Sequence, residues 1–136
     1  MINKEVIPVF NNGQMIRDFT YVDDIVESLM RVLEKPPTPN NEFNYQSPQP
    51  ASSWAPYKIF NIGNSQPTPL MDYIHALEEA LGVSAIKEFL PMQPGDVEAT
   101  AANTSALEAW TGFKPNTPIS KGVRLFVDWY KNFYQA

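Results

Sequence analysis

An α/β or α+β arrangement is expected for this chain of 136 residues, and three observations predict it. Short apolar, β-branched runs alternate with longer segments whose apolar residues recur at helical spacing. Two of the helical segments open on a Thr-Pro pair, Thr68-Pro69 and Thr117-Pro118, residue types that suit a cap followed by a first helical position. Pro36-Pro37, Gly82 and Gly112 stand where three of the helical patterns stop.

Taken in order, "VIPVF" (residues 6–10) predicts a strand, closed by the turn signal "NNG". Pro8 places that strand at an edge, because proline brings no N–H to a ladder. In "TYVDDIVESLMRVLEK", Val22, Ile25, Val26, Leu29, Met30 and Leu33 form one apolar stripe of a helix. Thr20 is its expected N-cap, and Asp23 and Asp24 suit the positive end of the helix dipole. Residues 36–56 hold six of the thirteen prolines and no period, which predicts a long irregular loop. "YKIFNIG" (57–63) reads as a buried strand. "TPLMDYIHALEEALG" reads as a helix with Leu70, Tyr73, Ile74, Leu77 and Leu81 on its apolar face and Gly82 at its end. "AIKEFL" predicts a further strand, Ser105 to Trp110 a short helix, and "TPISKGVRLFVDWYKNFY" a last helix with Val123, Phe126, Val127 and Tyr130 inward.

Composition bounds what such a domain does. Ten basic against fifteen acidic residues leave a net charge of -5 with no basic block, which disfavours nucleic acid as a partner. No cysteine is present, so disulfides, thiolate metal sites and cysteine nucleophiles are excluded. The start "MINKEVIPVF" lacks the apolar run and cleavage site of a signal peptide, and no stretch has the length of a membrane span. A soluble, cytoplasmic chain with no membrane partner is the expectation.

Few residues carry a chemical signal. Asp23 and Asp24 are adjacent, so on a helix they point about 100° apart and cannot face each other as an acid/base dyad. His75 is the single histidine and has no evident metal or triad partner. Met15, Met30, Met71 and Met92 read as packing. In "LPMQPGDV", Asp96 follows a Pro-Gly turn, placed either to accept hydrogen bonds from sugar hydroxyls or as an ordinary turn aspartate. "NIGNS" (61–65) puts polar residues after a strand, where ligand crevices of α/β folds lie. Arg17, in "GQMIRDFTYVDD", offers a planar fork of donors matched to phosphate. On pattern alone, a salt bridge to Asp23 or Asp24 explains it equally well.

Four separated segments resemble one family: "VFNNGQMIRDFTYVDDIV", "PYKIFNIGNSQPTPLMDYIHALEEALG", "LPMQPGDV" and "GFKPNTPISKGVRLFVDWY". They are similar, in this order, to the C-terminal portion of NAD-dependent nucleotide-sugar epimerases of the extended short-chain dehydrogenase/reductase family. UDP-glucuronate 4-epimerases match best. The resemblance implies a C-terminal substrate-binding lobe spanning residues 1–136 and lacking the main Rossmann domain. It implies that Arg17 contacts the diphosphate of a UDP-sugar, that Pro8 and Phe10 line the uracil through main chain, and that Asp96 lies near the ribose hydroxyls. UDP-galactose epimerases carry a second phosphate-binding arginine three residues before that aspartate; here the position is Gln93, as in the glucuronate type.

The family's G-x-x-G-x-x-G turn for the NAD pyrophosphate and its catalytic Tyr-x-x-x-Lys pair do not occur in the sequence. The resemblance therefore implies NAD as cofactor of the intact enzyme, none bound to this chain, and no catalytic residue within it. A missing N-terminal Rossmann domain is the implied partner, and the faces it leaves uncovered are expected to self-associate or repack. A non-catalytic nucleotide-sugar-binding module, a 4,6-dehydratase and another 4-epimerase are the alternatives.

Overall fold

The computed structural model describes residues 1–135. Its elements run β1 (Val6–Val9), β2 (Ile16–Asp18), α1 (Val22–Glu34), β3 (Pro67–Pro69), α2 (Leu70–Leu81), β4 (Ile86–Phe89), α3 (Ser105–Thr111) and α4 (Ile119–Tyr134). A 3-10 turn over Phe10–Gly13 joins β1 to β2. The strands form two ribbons. β1 lies parallel to β4, with Val6 opposite Ile86 and Val9 opposite Phe89. β2 runs antiparallel to β3, with Arg17 opposite Thr68. Every strand of a two-stranded ribbon is an edge, which is why β1 tolerates Pro8 and β3 tolerates two prolines.

The core gathers where α2 crosses α4. Ile74 on α2 and Val123 and Val127 on α4 are buried there, and Val9, Met15 and Leu107 complete the buried apolar set. Glu78 ties α2 to β4: its Oε1 accepts hydrogen bonds from Lys87 Nζ at 2.5 Å and from the Ala85 N–H at 2.8 Å. These donors hold the Glu78 carboxyl below the usual glutamate range, the Lys87 contact contributing most. Trp110 on α3 clasps the base of the 36–56 segment. The Lys35 and Lys58 ammonium groups lie 4.6 and 4.4 Å from its ring, and its Nε1 donates to the Lys35 carbonyl at 3.0 Å.

Several expectations are corrected. Residues 57–63 form no strand; only an isolated bridge pairs Ser52 with Lys58. A strand buried on both faces needs neighbours on both edges, and among the described residues the backbone of 57–63 pairs only with that of Ala51 and Ser52. Thr20 does not cap α1, which starts from Tyr21 without a side-chain cap. Thr68 lies in β3, where its hydroxyl donates to the Gln66 carbonyl at 2.9 Å, and Pro69 takes the N-cap of α2. Pro118 likewise precedes α4, and Phe126 is half exposed instead of inward.

The largest departure is in α1. Val22, Val26, Leu29, Met30 and Leu33 face solvent, so Met30 is not packed, whereas Asp24 and Ser28 are buried. The polar edge is what anchors the helix. Asp24 Oδ2 accepts the Thr117 N–H at 3.0 Å, and Ser28 Oγ donates back to the Asp24 carbonyl at 2.7 Å. The apolar stripe thus stays exposed and is not repacked within the chain.

Candidate functional site

The site is built from two chain segments that run side by side. The first is β1, the turn and β2; the second is β4 and the run that follows it. The pairing continues past the strands. Leu90 N–H donates to the Val9 carbonyl and Asn12 N–H to the Leu90 carbonyl, both at 2.9 Å. Ile16 N–H then donates to the Glu98 carbonyl at 3.0 Å, and Thr100 N–H to the Ile16 carbonyl at 3.1 Å.

The turn between β1 and β2 is tight for a definable reason. Asn11, Asn12 and Gly13 all have positive φ, at 48°, 50° and 80°. Asparagine and glycine are the residues that enter this region at least cost. Asn11 locks the turn by donating from Nδ2 to the Gln14 carbonyl at 2.8 Å. A Cβ at Gly13 would sit 2.9 Å from Met71 Sδ and would push that flexible side chain aside, so it is the positive φ that calls for glycine there.

The turn delivers Arg17 onto the second segment. Its Nη1 donates to the carbonyls of Ile16 at 2.8 Å and Glu98 at 3.1 Å. Its Nη2 donates to the Val97 carbonyl at 2.9 Å and to Asp96 Oδ1 at 3.0 Å. The ion partner of Arg17 is therefore Asp96, 79 residues away, and not Asp23 or Asp24. Asp96 Oδ1 also accepts the Val97 N–H at 2.8 Å, and the turn is closed by Asp96 N–H donating to the Gln93 carbonyl at 3.2 Å. Gln93 is exposed on this turn; Pro8 (exposed) and Phe10 (half-buried) lie further back along the first segment. His75 is exposed on α2, away from these contacts.

Asp18 is the residue that the sequence pattern left unmarked. Alternation along β2 sends it to the face opposite Arg17. Its Oδ2 accepts the N–H groups of Ser65 at 2.9 Å and Ala102 at 3.2 Å, and its Oδ1 that of Gln66 at 3.3 Å. Ser65, at φ 53°, bonds through Oγ to the Ala102 carbonyl at 3.0 Å and to Thr104 Oγ1 at 2.7 Å. Ser65, at the end of "NIGNS", thus joins Gln66 and Ala102 in a clasp around Asp18. A polar cleft of about 460 Å³ opens beside it, lined by Asp18, Thr20, Asn61, Gly63, Thr100 and Ala102 among others. On the other side of β2, Phe19 stacks on Tyr73 with ring centroids 4.4 Å apart, at the rim of an apolar groove of about 280 Å³ reaching Gly122 of α4. In that groove burial, together with the Asp23 and Asp24 carboxylates, raises the Tyr21 phenol above its ordinary value.

Known proteins are similar to this chain in sequence and in fold. The family model for the NAD dependent epimerase/dehydratase family matches residues 1–63, the stretch that holds β1, the turn, β2 and α1. Protein CapI of Staphylococcus aureus is 49% identical over 135 residues, which is 99% of this chain and 40% of that protein. The chain resembles part of an NAD-dependent epimerase. A probable UDP-glucuronate 4-epimerase of Rhizobium meliloti is 43% identical, over 98% of this chain and 39% of its own length. The chain spans about two fifths of the length of these curated relatives. Its fold superimposes on the UDP-glucuronic acid 4-epimerase of Bacillus cereus, solved with UDP-glucuronic acid and NAD, with a TM-score of 0.75 and 26% identity. That likeness covers 98% of this chain and 38% of the Bacillus chain.

Proposed function

We propose that this chain is the UDP-sugar-binding portion of an NAD-dependent UDP-glucuronate 4-epimerase. The complete protein would interconvert UDP-glucuronate and UDP-galacturonate in the cytoplasm and supply surface polysaccharide. The observation that carries this reading is the meeting of Arg17 and Asp96 at 3.0 Å on two parallel segments. The guanidinium orients and neutralises a diphosphate, and the carboxylate accepts the ribose hydroxyls. Main chain at Pro8 and Phe10 runs along the uracil, and Gln93 stands at the rim of the phosphate site without adding charge.

The described residues do not fit a dinucleotide. The glycines with positive φ either end helices, as at Gly82 and Gly112, or sit in the turns at Gly13 and Gly95. None opens a helix after a strand, as a pyrophosphate cradle requires. NAD and the proton-transferring pair accordingly belong to the remainder of the protein, and no hydride step is assigned to this chain. The uncovered stripe of α1 is the face on which that remainder would dock.

All the contacts assigned to UDP lie in this chain, so its binding is testable here. In isothermal titration, Arg17→Ala is expected to weaken UDP binding by about tenfold to a hundredfold, the ~1.5–3 kcal/mol of a charge-assisted contact. An unchanged affinity removes Arg17 from the site. The chain supplied with NAD and UDP-glucuronate is expected to show no turnover, and measurable epimerisation would assign catalysis to it after all.

A further inference from the structure

The geometry points to Asp96 as a specificity-determining residue that competes with ligand for Arg17, turning away bare anions and admitting ribonucleotides. This inference rests on the reading of Arg17 as a diphosphate anchor. A guanidinium has five N–H donors. Four of those on Arg17 are already used within the chain, by the carbonyls of Ile16, Val97 and Glu98 and by Asp96 Oδ1. The carbonyls of Ile16 and Glu98 belong to the paired backbone of the two segments, and that of Val97 is held next to this pairing by the chain itself. Asp96 is the movable acceptor: it follows Gly95, which has no heavy atom within 4 Å of where a Cβ would lie, and its side chain is 34% exposed.

An anion reaching for the η nitrogens must therefore displace a carboxylate. Inorganic pyrophosphate brings negative charge and no hydroxyl, so Asp96 loses the guanidinium and is left beside a like charge with only the Val97 N–H and solvent as donors. A ribonucleoside diphosphate brings two vicinal hydroxyls, which give the displaced carboxylate two O–H donors. Charge on Arg17 is thereby made available only to a ligand that carries both groups. The same residue that recognises ribose also withholds the guanidinium from phosphate alone.

Titration calorimetry of the chain with UDP and with inorganic pyrophosphate, in the wild type and Asp96→Asn, tests this. The wild type is expected to prefer UDP by tenfold or more. In Asp96→Asn, pyrophosphate is expected to tighten by about threefold, the size of a partly exposed ion pair, while UDP weakens. Pyrophosphate binding that is unchanged or weaker in the variant, with wild-type UDP binding intact, overturns the inference and leaves Arg17 as anchor. Failure of the wild type to bind either ligand overturns both. Should the variant not fold, the wild type alone decides. UDP lacking both ribose hydroxyls is expected to bind several-fold more weakly than UDP, and retention of full affinity contradicts a role for Asp96.

Discussion

Arg17 and Asp18 are neighbours with opposite assignments, and strand geometry is the reason. One side chain crosses to residues 96–98 and the other to residues 65, 66 and 102. Asp18 holds three backbone donors, so Asp18→Ala strands them; a loss of about 2 kcal/mol is expected, read as a lowered midpoint of chemical denaturation. Asp18→Asn keeps one acceptor oxygen and is expected to lose less. Gly63 makes a second sharp case. A Cβ there would lie 2.5 Å from the Ala102 Cβ, so Gly63→Ala is expected to cost about 1–3 kcal/mol of overpacking. A variant as stable as the wild type would show that residue 102 moves away freely. Arg17 could be singled out from sequence because it is the single cation between Lys4 and Arg31, in a turn-rich stretch. Asp18 could not, since its three partners are amides with no side-chain signature.

Among the elements, those with local signals were legible and those defined by partners were not. α2 and α4 start beside their Thr-Pro pairs, and β1 and β4 fall within the apolar runs predicted for them. β2 and β3 escaped notice because "IRD" and "PTP" have little β propensity; they are strands because they pair with each other. Residues 57–63 fail in the opposite sense, having the pattern without the neighbours. The link from α2 to β4 gives a pH test. Lys87 and Ala85 lower the Glu78 carboxyl in the folded state, so folding favours its ionised form. Its contribution is present above the unfolded-state value, near pH 4.3, and is lost as pH falls through the folded-state value. Thermal midpoints measured from about pH 6 down to pH 3 are expected to fall more steeply for the wild type than for Glu78→Gln. Parallel curves would remove Glu78 as a source of acid sensitivity.

At the scale of the molecule, surface area decides between a finished domain and an open one. A compact monomer of 15.4 kDa exposes roughly 7,200 Å², whereas this chain exposes 9319 Å². The excess, roughly 2,100 Å², is more than twice the ~800 Å² that one partner contributes to a standard protein–protein interface. Much of it is apolar, on the α1 stripe and on the α4 face that carries Phe126, Trp129 and Phe133. Such patches drive association. Sedimentation velocity is expected to show concentration-dependent oligomers, reduced by Leu29→Lys together with Leu33→Lys. Those changes touch exposed positions, so stability is expected to shift by no more than about 0.5 kcal/mol each. A monomer at all concentrations would mean that the stripe is not adhesive.

The sequence by itself determined the helices, their proline starts and glycine ends, the strand candidates around Pro8 and Lys87, and the chemical types available for a site. These depend on residues a few positions apart, where propensity and capping act. Only the tertiary structure decided which carboxylate faces Arg17, what Asp18 holds, and which side of α1 turns inward. Each of those is a contact across tens of residues, set by how segments lie together and by which donors lack a partner. A helix whose apolar stripe faces outward is the plainest instance: the stripe was legible, but what it packs against is not encoded in its spacing.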